Sequence, residues 1–163
     1  MANSILNKLK EKGIGKKVII RKACTDDINA MTSLLSELFN IEADFTPNIR
    51  RQRQGLADLM DNRGATLLVA VAGSNIVGMC TLQPLLSTAE GGKVGVVEDL
   101  VVADSYRKSG VGRKLLKEIE TTARAAGMSR LQLLSDRNNE VASTFYDRLG
   151  WATTSMIAYR KKF

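Results

Sequence analysis

Residues 104–116, DSYRKSGVGRKLL, set two glycines and four cations between an apolar run, VEDLVV (97–102), and a helix-like run that starts at Val111. The chemistry such a turn offers is anion binding. Glycines let backbone N–H groups approach a ligand closely, and the first turn of a helix carries unpaired amides and the positive end of its dipole. Arg113 and Lys114 in that turn oppose the dipole, each at a cost of roughly 0.3–1 kcal/mol that a bound anion would offset. A solvated basic loop is the plain alternative, and the local stretch does not choose. A Walker loop is absent, and Leu115 stands where a dinucleotide fingerprint needs its third glycine. What remains is a strand, then R-x-x-G-x-G, then a helix.

Proton chemistry is the second possibility. Glu98 and Asp99 are adjacent on the strand-like run, so strict alternation sends them to opposite faces. Glu98 then shares a face with Leu100 and Val102, Asp99 shares one with Val97 and Val101, and only one carboxylate looks into a given cleft. Tyr146 lies on a later amphipathic stretch that Asn139 opens. Histidine is absent, which removes Ser-His and Cys-His catalysis, His metal sites and His as a base. Ser143 and Cys80 therefore have no partner that would activate them as nucleophiles. Two cysteines, Cys24 and Cys80, make neither a disulfide framework nor a four-ligand zinc site, so both are read as reduced and no metal is expected.

The elements that must position these groups follow from periodicity. VIIRKA (18–23) alternates as a strand, and Thr25-Asp26-Asp27 opens a helix whose apolar residues repeat from Ile28 to Phe39. Thr46-Pro47 starts a second helix bearing Ile49, Leu56, Leu59 and Met60. ATLLVAVA (65–72) and IVGMCTLQPLL (76–86) form a hairpin across Gly73-Ser74-Asn75. A strand at 94–103, the helix 111–126 stopped by Gly127, a strand at 130–135 and a helix at 139–149 follow. WATTSMIAYRKK (151–162) supplies one or two closing strands. The expected fold is α/β: a mixed central sheet, antiparallel in its N-terminal part and parallel around the cleft, flanked by helices.

With 163 residues, 44% apolar and 25% charged, the chain reads as one domain over 17–163 after a basic lead-in, 1–16, that is free to be mobile. The net charge of +7 favours anionic ligands without naming one. Aromatics are 5%, the cations are scattered, and neither an RNA-recognition nor a zinc-finger pattern occurs, so a nucleic-acid partner is not expected. No stretch has the length of a membrane span and the start lacks a signal peptide's apolar core, so no membrane partner is expected and the cytoplasm is the default compartment.

Two segments carry a resemblance. VEDLVVADSYRKSGVGRKLL resembles the signature of the GNAT superfamily of N-acetyltransferases: strand, [RQ]-x-x-G-x-[GA], helix. NNEVASTFYDRLGW (138–151) resembles the family's downstream N-x-x-A-x-x-F-Y-x-x-x-G-[FW], through Asn139, Ala142, Phe145, Tyr146, Gly150 and Trp151. Element order resembles the family from about residue 18 to the end.

The resemblance implies transfer of the acetyl group of acetyl-CoA directly to a primary amine of a small molecule, peptide or protein. It implies that Arg107, Lys108, Ser109, Gly110, Val111, Gly112 and Arg113 hold the pyrophosphate. It implies further that backbone donors of Leu100, Val101 and Val102 face the reacting acyl group, and that Asn139 contacts the pantetheine arm. Tyr146 is then the general acid for the leaving thiolate. The family's base lies at or near Glu98, acting through water, with Asp99 or water alone as the alternatives. The first two helices and their loop would shape the acceptor pocket, where Glu42, Asp44 and Phe45 could receive a cationic amine. The nearby Arg50, Arg51 and Arg53 suggest anionic surroundings instead, or only a polar helix face. A homodimer stays open, as does the competing reading of a non-catalytic acyl-CoA-binding regulatory module, which would not need Glu98 or Tyr146.

Overall fold

The structure, a computed structural model, describes residues 17–41 and 44–163. The basic lead-in 1–16 and the candidate Glu42 lie outside the described residues. Five strands form one sheet in the order β1 (Val18–Lys22), β2 (Thr66–Ala72), β3 (Asn75–Ser87), β4 (Gly92–Val102) and β5 (Leu131–Leu133). The first four are antiparallel neighbours, and β5 pairs with β4 in parallel. That mixed sheet is the one expected.

Helices cover both faces. On one face α1 (Ile28–Phe39) and α2 (Ile49–Asp61) pack Met31, Leu34, Leu35 and Leu56 against Leu67, Val69, Met79 and Val101. On the other, α3 (Val111–Ala125) packs Leu115, Leu116, Ile119 and Ala123 against Leu68, Ala70, Cys80, Leu82 and Val97. The spacing Val111, Leu115, Ile119, Ala123 keeps one stripe of α3 on the sheet, and each large aliphatic buried there stabilises the fold by about 1.5–3 kcal/mol. The short α4 (Glu140–Asp147) adds Phe145 and Tyr146 to the edge of this second core, with Leu149 and Trp151 just beyond it.

Two expectations about elements are corrected. The second helix starts at Ile49 with Asn48 as its cap, the Asn48 side-chain oxygen accepting from the Arg51 amide at 3.0 Å, rather than at Thr46-Pro47. Residues 151–162 form no strand. They contain strand-favouring types such as Trp151, Thr153, Thr154, Ile157 and Tyr159, but a strand needs a partner edge, and this segment instead leaves Met156, Ile157 and Tyr159 exposed.

A third correction bears on the site. Between β3 and β4, Cys80 pairs with Leu100 while Leu82 pairs with Val97. Two steps on β3 thus face three on β4, and the extra residue makes a β-bulge at Glu98–Asp99. Alternation is reset across it. Val97, Leu100 and Val102 all belong to the α3 side, whereas Val101 lies under α1.

Candidate active site

Thr81 and Gln83 stand two residues apart on β3 and so share a face, the one on which Met79 packs under α1. The side-chain Nε2 of Gln83 donates to Glu98 Oε2 at 3.0 Å, and the hydroxyl of Thr81 donates to Asp99 Oδ2 at 3.1 Å. Both carboxylates are therefore on the α1/α2 face. Strict alternation had divided them between faces; the bulge reunites them. Glu98 is exposed and Asp99 half-buried.

Beyond Val97 the β4–β5 ladder stops, since its last pair is Val97 with Leu133. β4 runs on for five residues, to Val102. The Ala103 amide donates to Val77 O at 2.9 Å, so Ala103 turns to β3 and Val102 turns away from it. The Val102 carbonyl indeed accepts from Arg107 Nε at 3.0 Å. By alternation Leu100 points the same way as Val102, and Val101 turns to β3, where Met79 is its partner. Of the three backbone donors named from sequence, Leu100 and Val102 thus line the opening between β4 and β5.

The glycine turn follows directly. Gly110 is the N-cap of α3 with φ of 84°, the left-handed region that glycine tolerates, and no side chain caps this helix. A Cβ on Gly110 would meet nothing within 4 Å. Lys108 is also left-handed, at φ of 58°, which costs a lysine about 1–2 kcal/mol. Ser109 donates from its hydroxyl to the Tyr106 carbonyl and ties the turn to the core. Arg107 pairs with Asp104 at 3.2 Å, while Lys108, Arg113 and Lys114 have no ion-pair partner among the described residues. The residues present therefore fit a polyanionic ligand: amides with no side-chain cap and cations with no ion-pair partner among the described residues. Gly112 has a different reason to be glycine. A Cβ there would come within 3.3 Å of the Phe145 ring.

Asn139 is the N-cap of α4, its side-chain oxygen accepting from the Ala142 amide at 3.0 Å. Its side-chain nitrogen is not part of that cap. Tyr146 is half-buried among Phe145 at 5.3 Å and Trp151 at 6.1 Å between ring centroids. Trp151 is anchored in turn by donating to Glu120 Oε1 at 3.2 Å. Cys80 is fully buried, and burial, reinforced by the charge of Asp99, pushes its thiol far above the ordinary range. It is a core thiol, not a nucleophile.

On the loop between α1 and α2, Phe45 stacks on Phe39 at 5.1 Å, and Arg160 lies over its ring at 4.8 Å while pairing with Asp44 at 3.6 Å. Asp44 and Phe45 thus already hold a cation from the chain's own C-terminal segment. Arg160 went unnoticed in the sequence, as did Thr81 and Gln83. The last two were marked by polar residues at alternate places in an otherwise apolar strand.

The model of the acetyltransferase (GNAT) family matches residues 28–151, most of the chain. The chain belongs to the GNAT acetyltransferase family. It is 27% identical over 132 residues to the aminoalkylphosphonate N-acetyltransferase of Salmonella typhimurium, covering 81% of this chain and 83% of that one. It is 34% identical over 118 residues to the amino-acid acetyltransferase of Ralstonia nicotianae, covering 72% of this chain and 24% of that one. A possible acetyltransferase from Clostridium difficile shares the fold with a TM-score of 0.78 at 18% identity, over 90% of this chain and 97% of that one. As a GNAT N-acetyltransferase, the protein transfers acetyl groups to amines. Among the described residues no helix is long and apolar enough to cross a membrane.

Proposed function

We propose that this acetyltransferase uses acetyl-CoA and acetylates the primary amine of a small acceptor that also carries an acidic group. One observation carries the reading: the unpaired edge of β4 at Leu100 and Val102 opens beside the uncapped, cation-rich first turn of α3. Bound acetyl-CoA would supply the acetyl group as an activated thioester. Amides of the Arg107–Arg113 turn hold its phosphates, Leu100 and Val102 offer N–H groups to a developing oxyanion, and the Asn139 side-chain nitrogen reaches the pantetheine arm. Glu98, exposed and steadied by Gln83, takes the proton of the acceptor's ammonium directly or through water. The Tyr146 hydroxyl holds a proton for the departing thiolate.

The acidic group on the acceptor is supported from two sides. The relatives named above act on an aminoalkylphosphonate and on an amino acid, each an amine joined to an anion. In this chain Arg50 and Arg53 line a groove of about 570 Å3 on the α1/α2 layer, with Ile28 and Ile49. The reduced thiols Cys24 and Cys80 fit a cytoplasmic enzyme.

The test is thiol release from acetyl-CoA with 2-aminoethylphosphonate, amino acids, glucosamine 6-phosphate, polyamines and peptides. Turnover of an acidic amine ahead of putrescine is expected. Faster turnover of the polyamines would overturn the acceptor class, and no release with any amine would overturn the enzyme reading. Acetyl-CoA should also raise the melting temperature by mass action, and Gly110→Glu should abolish that shift.

A further inference from the structure

The geometry points to Thr81 as a positioning residue for acetyl transfer, acting through the β4 bulge rather than on substrate. The inference rests on the functional reading above for its kinetic part and on the bulge alone for the rest.

Thr81 is fully buried, and a buried hydroxyl is costly unless it is hydrogen-bonded. Both of its hydrogen-bonding capacities are used on one residue. Its Oγ1 accepts from the Asp99 backbone amide at 3.1 Å and donates to Asp99 Oδ2 at 3.1 Å. At a bulge the extra residue loses its ladder partner, so an amide there needs an acceptor from elsewhere. Thr81 supplies one from its side chain.

The consequence is register. The bulge alone sets Glu98 and Asp99 on one face, and a slip of one residue would turn side chains of this segment to the opposite one. The α1/α2 core fixes Val101 on one side, and the α3 core fixes Val97 and Leu100 on the other. Between these anchors Thr81 contacts Asp99 and Gln83 contacts Glu98, and Gln83 grips an exposed side chain, not the backbone. Thr81 fixes the backbone itself. It also keeps the Asp99 amide turned to β3, leaving Leu100 as the first N–H past the bulge that faces the opening.

Thr81→Val keeps the shape and removes the hydroxyl; Thr81→Ser keeps the hydroxyl. With 2-aminoethylphosphonate, or whichever amine of the panel turns over fastest, Thr81→Val should lower kcat about ten- to hundredfold while the KM for acetyl-CoA holds. Thr81→Ser should stay within about threefold of the parent, because the donor and acceptor remain in place. A kcat of Thr81→Val within about twofold of the parent, or Thr81→Ser as slow as Thr81→Val, overturns the assignment. Should Thr81→Val fail to fold, Thr81→Ala is read in the same way.

A parent protein that releases no thiol with any amine would remove the functional reading and leave this one to amide hydrogen exchange. Faster exchange at Asp99 in Thr81→Val, with protection restored in Thr81→Ser, sustains the positioning role. Equal protection in parent and Thr81→Val ends it.

Discussion

Gly112 and Phe145 meet backbone against ring: a Cβ on Gly112 would stand 3.3 Å from Cζ of Phe145 and 3.7 Å from its Cε2. The contact joins the first turn of α3 to α4 one residue before Tyr146. The two segments that resemble the family signature are thus one packed unit, and a change in either should be felt in the other.

Substitutions at the two glycines of the turn should separate packing from backbone strain. Gly112→Ala presses a methyl into Phe145 and should cost about 1–3 kcal/mol, as overpacking does. Gly110→Ala meets no neighbour within 4 Å but must hold φ of 84°, at about 1–2 kcal/mol. Truncating Phe145 to Leu should relieve the Gly112→Ala defect and leave Gly110→Ala unchanged. Thermal denaturation of the single and double variants checks this. Additive losses for the Gly112–Phe145 pair would contradict the contact.

Glu98→Gln and Tyr146→Phe should each lower kcat by about a hundredfold or more, the range of a lost general acid or base, while sparing the acetyl-CoA-induced rise in melting temperature. Steady-state kinetics beside a melting curve decides. Unchanged kcat in both, with chemistry limiting, would leave the proton-transfer roles to water or Asp99.

Much of this arrangement is legible in the chain, and the exceptions share a cause. The stripe Val111, Leu115, Ile119, Ala123 and the left-handed stop at Gly127 are local signals, so α3 could be read directly. The resemblance of two short segments singled out the glycine turn and Tyr146 as candidates for the same reason. The faces of Glu98 and Asp99 could not be read, because a bulge is a property of register between β3 and β4 and not of either strand alone. Residues 151–162 misled in the opposite sense: their β-branched and aromatic residues are strand-like, yet pairing depends on an edge elsewhere. The Arg160 contact with Asp44 and Phe45 spans too long a loop for any local pattern to show it.

Acid should find the Arg21–Asp27 pair early. Two hydrogen bonds from Arg21, at 2.6 and 2.9 Å, and one from the Cys24 amide at 2.8 Å hold the Asp27 carboxyl at about 2, below its ordinary 3.8. A depressed folded-state value means that the unfolded chain takes up the proton first. The stabilisation is complete above the ordinary value and fades as pH falls from near 3.8 towards 2. Arg21 is 40% exposed, so screening trims the contribution to about 1–2 kcal/mol. Asp27→Asn should lower the melting temperature at neutral pH and flatten its decline across that acid window. A parallel decline in parent and variant would refute the linkage.

Thiol accessibility offers a simple count. Cys24 is exposed and Cys80 buried, with the Cys80 thiol pushed strongly up by burial. A thiol reagent at mildly alkaline pH should therefore titrate Cys24 promptly in the native protein and Cys80 only after denaturation. Prompt reaction of both would mean that the strand pairing around Cys80 opens readily.

Trp151 is the single tryptophan of the chain. Its indole is anchored to α3 through Glu120 and lies 6.1 Å from the Tyr146 ring. The protein therefore carries a built-in fluorophore whose emission comes from one place, next to the residue assigned to thiolate protonation. Ligand titrations could be followed optically with no label, and a spectral change lost in Tyr146→Phe would trace its origin to the Tyr146 hydroxyl.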